Sequence, residues 1–148
     1  MEKIRVLCVD DHEATTSFYR LALDLEPDME FVGSRRSTEG LLQAVEATRP
    51  SVLLLDLLIP GCDSLQALAE IRSHFPSLVI LVASGLDEGD VVEEVFRRGG
   101  SGFFLKSLDL SDLVTMIRRA AAGERVNTGP TPSRSSSTWK LPGARPNP

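Results

Sequence analysis

Five short runs of apolar residues rich in β-branched side chains punctuate the chain: Ile4 to Val9, Met29 to Val32, Val52 to Leu55, Leu78 to Val82 and Gly102 to Leu105. Three of them (Ile4 to Val9, Val52 to Leu55 and Leu78 to Val82) are almost unbroken in hydrophobicity, the pattern of strands covered on both faces. Between the runs, apolar residues recur at helical spacing: Phe18, Leu21, Ala22 and Leu25; Leu41, Leu42 and Val45; Leu65, Leu68, Ala69 and Ile71; Val91, Val92, Val95 and Phe96; Leu110, Leu113, Val114 and Ile117. Asp109 and Asp112 give the last helix an acidic start, and Gly123 is placed to stop it. Strand and helix alternate with short connections. This predicts an α/β fold, a (βα)5 doubly wound five-stranded parallel sheet with right-handed crossovers, whose ligand crevice lies at the carboxyl ends of the strands.

The periodicity stops at Gly123. Residues 124–148 hold five of the nine prolines, four serines and four basic residues against one acid, the composition of a disordered linker or tail. One folded domain, 1–123, is therefore expected beside a tail that includes the sole tryptophan, Trp139, in a water-exposed setting. The formal charge of −5 divides into −8 on the domain and +3 on the tail, which argues against specific DNA binding by this chain. The longest apolar stretch, Val52 to Ile59, is broken by Asp56 and is far short of the roughly 20 residues that cross a bilayer, so no membrane span is expected. The start of the chain lacks the pattern of a secretion signal, so the cytoplasm is the expected location. Cys8 and Cys62 belong to no CxxC or Cys/His cluster and read as packing residues.

The chemistry lies at the predicted strand ends. The first strand ends in Asp10-Asp11, the third in Asp56, the fourth in Ser84-Gly85, and the fifth leads into Lys106. Singly, each has a plain structural reading as a cap, a turn former or a solvated charge. Together they bring three carboxylates, a hydroxyl and a lysine to one crevice, where like charges oppose one another's ionisation unless a cation neutralises them. Carboxylate oxygens with no histidine or thiolate favour a hard ion, Mg²⁺ (or Mn²⁺) rather than Ca²⁺, in a site that leaves room for phosphate. A carboxylate there can attack phosphorus to give an aspartyl phosphate, and Gly85 would let a backbone N–H approach a phosphoryl oxygen.

At these residues the chain resembles the receiver domain of bacterial response regulators. The acid pair, the Asp56-Leu57-Leu58-Ile59-Pro60-Gly61 run, Ser84-Gly85 and the Phe-x-x-Lys of Phe103 to Lys106 occur in the family's order over residues 1 to about 123, with cues closest to the NarL/FixJ-type branch. The resemblance implies a flavodoxin-like strand order of 2-1-3-4-5. It also implies a two-component phosphoprotein: Asp56 is the phosphoacceptor, and Mg²⁺ is held by Asp10, Asp11, Asp56 and the Leu58 backbone carbonyl. Lys106 pairs with the phosphoryl group, Ser84 hydrogen-bonds to it on activation, and Phe103 turns inward from the surface in response. The implied partner is a sensor histidine kinase or phosphotransfer protein, with homodimerisation as a further possibility. Enzymatic activity is limited to self-phosphorylation and autodephosphorylation.

Several positions depart from the family pattern or need their own reading. Ser64 replaces a usual glycine, at a cost of about 1 to 2 kcal/mol if the backbone there is left-handed. Ser107 follows the lysine where the family often has a cis proline; without proline, a cis bond costs about 2.5 to 4 kcal/mol. His12 is expected to face solvent, and Leu58 and Leu86 to border the pocket. Two alternatives stand beside the phosphoacceptor reading: a phosphorylation-independent interaction module (a pseudo-receiver), and the N-terminal part of a transcription regulator whose helix-turn-helix domain is not in this chain. A phosphate-ester hydrolase is disfavoured, since Leu58 cannot serve as its general acid or base.

Overall fold

The computed structural model describes residues 2–85 and 89–127. The elements run β1 (Ile4–Val9), α1 (Glu13–Asp24), β2 (Met29–Arg35), α2 (Leu41–Thr48), β3 (Val52–Asp56), α3 (Ser64–His74), β4 (Val79–Ser84), α4 (Gly89–Arg97), β5 (Gly102–Leu105), α5 (Leu110–Ala121) and β6 (Val126–Asn127). All neighbouring strands are parallel, in the order β2-β1-β3-β4-β5-β6.

The period-2 geometry of strands divides the apolar runs between two cores. Val6, Cys8, Val52, Leu54, Leu81 and Phe104 point to one face, packed by Tyr19 and Leu23 of α1 and Leu113 and Ile117 of α5. Leu7, Val9, Leu53, Leu55, Ile80, Val82 and Phe103 point to the other, under Val45, Leu68, Ile71, Val92 and Val95 of α2, α3 and α4. With both faces covered, β3 has no polar position until its last residue, Asp56, itself buried. Burial pushes the Cys8 thiol up to about 12, which fits a packing cysteine.

Two expectations need correction. The sheet has six strands rather than five, because Val126–Asn127 pairs with β5 inside the stretch expected to be tail. Both residues are buried, so the ordered chain continues past Gly123. Two residues are too few to show a period. Gly102 makes the pairing possible, since a Cβ there would lie 2.6 Å from the Val126 side chain. Residues 128–148, including Trp139, lie outside the described residues, as does Leu86.

The second correction concerns α1. Its apolar stripe of Phe18, Leu21 and Leu25 is exposed, and Tyr19 and Leu23 are the residues buried against the sheet. Both rows have helical spacing and share Ala22. The inner row docks because it meets Val6, Cys8 and α5. The end of α5 matches expectation: Gly123 has φ +100 and donates its N–H to the Ala120 carbonyl, a conformation suited to glycine just past a helix.

Candidate functional site

Parallel pairing brings the carboxyl ends of β1, β3, β4 and β5 to one edge. Asp10 directly follows β1, Asp56 ends β3, Ser84 ends β4, and Lys106 follows β5. The Lys106 ammonium lies 2.9 Å from Asp10 Oδ2 and 3.1 Å from Asp56 Oδ2, bridging two carboxylates that are both nearly inaccessible to solvent. Its position is fixed from the backbone as well, because the Lys106 N–H donates to the Ser84 carbonyl at 2.9 Å. The Leu58 N–H donates to Asp56 Oδ1 at 3.2 Å, so the loop after β3 turns back over the carboxylate. Ser84 is fully buried, whereas Gly85 next to it is exposed and a Cβ there would meet nothing within 4 Å.

Burial raises the Asp56 carboxyl above its ordinary range; the Lys106 hydrogen bond opposes this, and the Asp10 charge adds to it. Asp10 is also penalised by burial, but hydrogen bonds from Lys106 and from the His12 backbone and ring outweigh that and hold it low. Lys106 loses hydration by burial, yet the two carboxylates hold its ammonium above the ordinary lysine value. One ammonium against three carboxylates leaves the crevice with surplus negative charge. Asp11 Oδ1 is shielded from solvent and accepts no hydrogen bond among the described residues. A buried carboxylate oxygen without a donor is costly, and it is satisfied directly by a cation. Oxygen atoms of Asp10, Asp11 and Asp56 and a ring nitrogen of His12 all lie within 4.8 Å of one another, so these residues fit a divalent ion.

Residues 6–118 match the family model of the response regulator receiver domain. The chain belongs to that family. It is 32% identical over 125 residues to the probable transcriptional regulatory protein NarL of Mycobacterium tuberculosis (strain H37Rv), covering 84% of this chain and 58% of the relative. To the transcriptional regulatory protein DegU of Brevibacillus brevis it is 29% identical, covering 82% of this chain and 51% of the relative. The solved receiver domain of the putative response regulator NarL from M. tuberculosis superposes with a TM-score of 0.77 at 32% identity, covering 83% of this chain and 99% of that one. The chain thus spans a little over half the length of the curated relatives it matches. Among the described residues no helix is long and apolar enough to cross a membrane.

Within the receiver fold, four positions settle, correct or add to what the sequence suggested. Ser64 is not left-handed; Arg49 is the non-glycine residue with positive φ among those described. Instead Ser64 opens α3, buried, and its hydroxyl donates to the Asp56 carbonyl at 2.8 Å. The glycine's replacement therefore ties α3 to the acceptor strand without strain, and spacing alone carried no signal for that bond. No cis peptide bond occurs among the described residues, so Lys106–Ser107 is trans. Phe103 is already completely buried, facing the α4 side of the sheet, rather than waiting at the surface.

His12 is the fourth. Its side chain is largely exposed, as expected, but Nδ1 turns back to lie 3.0 Å from Asp10 Oδ1, 3.3 Å from Asp11 Oδ1 and 3.3 Å from Lys106 Nζ. It is part of the cluster. Adjacency to the acid pair was the available clue, and an expectation of an oxygen-only site set it aside.

Proposed function

We propose that this receiver domain accepts a phosphoryl group on Asp56 from the phosphohistidine of a histidine kinase or phosphotransfer protein, with a divalent cation, Mg²⁺ or Mn²⁺, held by Asp10, Asp11, Asp56 and the Leu58 carbonyl. The observation that carries this reading is the Lys106 ammonium 3.1 Å from Asp56 Oδ2, in a crevice with surplus carboxylate charge. An Asp56 oxygen attacks phosphorus, the O–P bond forms as the N–P bond breaks, and the donor imidazole leaves and takes a proton from water. A bound divalent ion would supply charge neutralisation for the phosphoryl oxygens. Lys106 provides a second positive charge beside the acceptor, and the open space over Gly85 leaves its backbone N–H approachable. Leu58, whose backbone N–H donates to Asp56 and whose side chain is exposed, would limit water access, so that the aspartyl phosphate hydrolyses slowly.

The Ser84 hydroxyl is the donor proposed to respond to the added charge, worth about 1.5 to 3 kcal/mol as a charge-assisted hydrogen bond. Because Phe103 is buried already, the response here is a tightening of the β4–α4 side around an inward aromatic rather than an inward swing. By analogy with relatives that are named as transcriptional regulators and are about one and a half times as long, the switched surface serves an output unit beyond these residues, or a partner; action in the cytoplasm fits this role.

The test is chemical trapping. After incubation with acetyl phosphate and Mg²⁺, borohydride reduction converts an aspartyl phosphate to homoserine, and peptide mapping should find it at position 56 alone. Homoserine at position 10 or 11, or none in any peptide, would reject the assignment.

A further inference from the structure

The imidazole in the crevice has no part in the phosphoacceptor chemistry above, yet its geometry is that of a ligand. An ion bound at about 2.1 Å places adjacent ligand atoms about 3.0 Å apart and opposite ones about 4.2 Å apart. His12 Nδ1 stands 3.0 Å from Asp10 Oδ1 and 3.3 Å from Asp11 Oδ1, and with an Asp56 oxygen the four atoms fall within 4.8 Å. Without an ion the ring hydrogen-bonds through Nδ1 to Asp10 Oδ1; with that proton moved to Nε2, the Nδ1 lone pair would face an ion in the space those oxygens share.

A second observation points to an ion. Asp11 Oδ1 is shielded from solvent without a hydrogen bond although His12 Nδ1 is only 3.3 Å away, because that nitrogen is engaged by Asp10 Oδ1. A cation between them would satisfy the Asp11 oxygen and take the place of the ring proton. The backbone supports the placement: the His12 N–H donates to Asp10 Oδ1 at 2.9 Å, which holds the residue in a tight turn over the acid it would share the ion with.

We propose that His12 is a fourth side-chain ligand of the acidic centre, and that it biases the centre toward borderline divalent ions such as Mn²⁺, Co²⁺ and Zn²⁺ over Mg²⁺. Imidazole contributes little to the hard Mg²⁺ ion, which retains its water, and more to ions later in the first transition row. His12 is thus a specificity-determining residue for the cation rather than a structural one. The inference rests on the reading of the crevice as a divalent-ion site.

The experiment compares the full chain with His12→Ala and with Glu13→Ala, an exposed neighbour paired with Arg36. Calorimetric titration with MnCl₂ and with MgCl₂ gives the affinity ratio, and pulsed electron paramagnetic resonance of bound Mn²⁺ reads nitrogen coordination directly. Removing His12 should lower Mn²⁺ affinity about tenfold and Mg²⁺ affinity less than about twofold, and should abolish a ¹⁴N modulation present in the wild type. Glu13→Ala should leave the ratio and the nitrogen signal as they are. Retained Mg²⁺ binding by His12→Ala also reports that the variant is folded. An unchanged ratio, or no nitrogen coupling in the wild type, overturns the role of His12 while leaving the phosphoacceptor reading intact. Failure of every protein to take up either ion overturns both.

Discussion

Each end of the sheet holds a partly buried cation, and the two are satisfied in opposite ways. At the amino ends of β4 and β5, Arg72 donates to the carbonyls of Gly99 (2.8 Å), Phe75 (3.1 Å) and Pro76 (2.9 Å) and to Ser101 Oγ (3.2 Å). Every acceptor is neutral, and the four belong to two segments, the α3–β4 loop and the α4–β5 turn. The guanidinium therefore stitches α3, the α3–β4 loop and the α4–β5 turn into one piece and leaves no demand for a ligand, although a cleft of about 350 Å³ opens beside it. At the carboxyl ends, Lys106 faces carboxylates it cannot neutralise alone, and a buried oxygen of Asp11 has no donor. A cleft does not distinguish the functional end; unsatisfied charge does. The stitched end is built for stability; on the proposed function, the charged end gives up stability to keep a place for an ion and a phosphoryl group.

If that contrast is right, substitutions at the two ends should move stability in opposite directions. The largest effect is expected from Arg72→Ala, which strands several acceptors at once and should lower unfolding free energy in urea by about 2 to 3 kcal/mol while leaving phosphorylation by acetyl phosphate intact. A loss below about 0.5 kcal/mol would mean that water replaces the guanidinium at no cost, and the contrast would collapse. At the other end, Asp56→Asn removes a charge from a crowded cluster. In metal-free buffer at neutral pH it should stabilise the domain by about 1 kcal/mol, a rise of a few degrees in thermal midpoint.

The pH dependence sharpens this second effect. The Asp56 carboxyl is raised above its ordinary 3.8, so its contribution is fully present below that value and is lost as pH rises through its folded value. Asp10 is lowered, so its contribution is present above 3.8 and is lost as pH falls through its folded value. The advantage of Asp56→Asn over the wild type should therefore be near zero around pH 3.5 and grow toward neutrality, as followed by urea unfolding in the presence of a chelator. An advantage that shrinks with rising pH would reverse the assigned direction. The smallest effect is expected away from both ends: Leu25→Lys, on the exposed stripe of α1, should change stability by less than about 0.5 kcal/mol.

The charged end was far more legible in the sequence than the stitched one. Strands covered on both faces must be apolar until they emerge, so a carboxylate at the end of such a run, as with Asp56, stands out by position alone. Parallel topology then places all such ends together. Arg72 gave no comparable signal, because three of its four partners are backbone carbonyls, one of them 27 residues away, and carbonyls carry no residue identity. The same limit hid the bond from Ser64 to the Asp56 carbonyl. For α1, two rows at helical spacing competed, and only the docked position of β1 and α5 chose Tyr19 and Leu23 over Phe18 and Leu21. β6 escaped because its two residues cannot display a period, although Gly102 opposite them marks where a neighbouring backbone approaches.

The central claim, that the charged end is a phosphoryl acceptor and the stitched end is not involved in chemistry, is tested most directly by intact-mass measurement. Wild type, Arg72→Ala and Asp56→Asn are each incubated with acetyl phosphate, with Mg²⁺ and with chelator. The account predicts one added phosphoryl group on the wild type and on Arg72→Ala with Mg²⁺, little with chelator, and none on Asp56→Asn under either condition. Labelling of Asp56→Asn to the wild-type extent would contradict it.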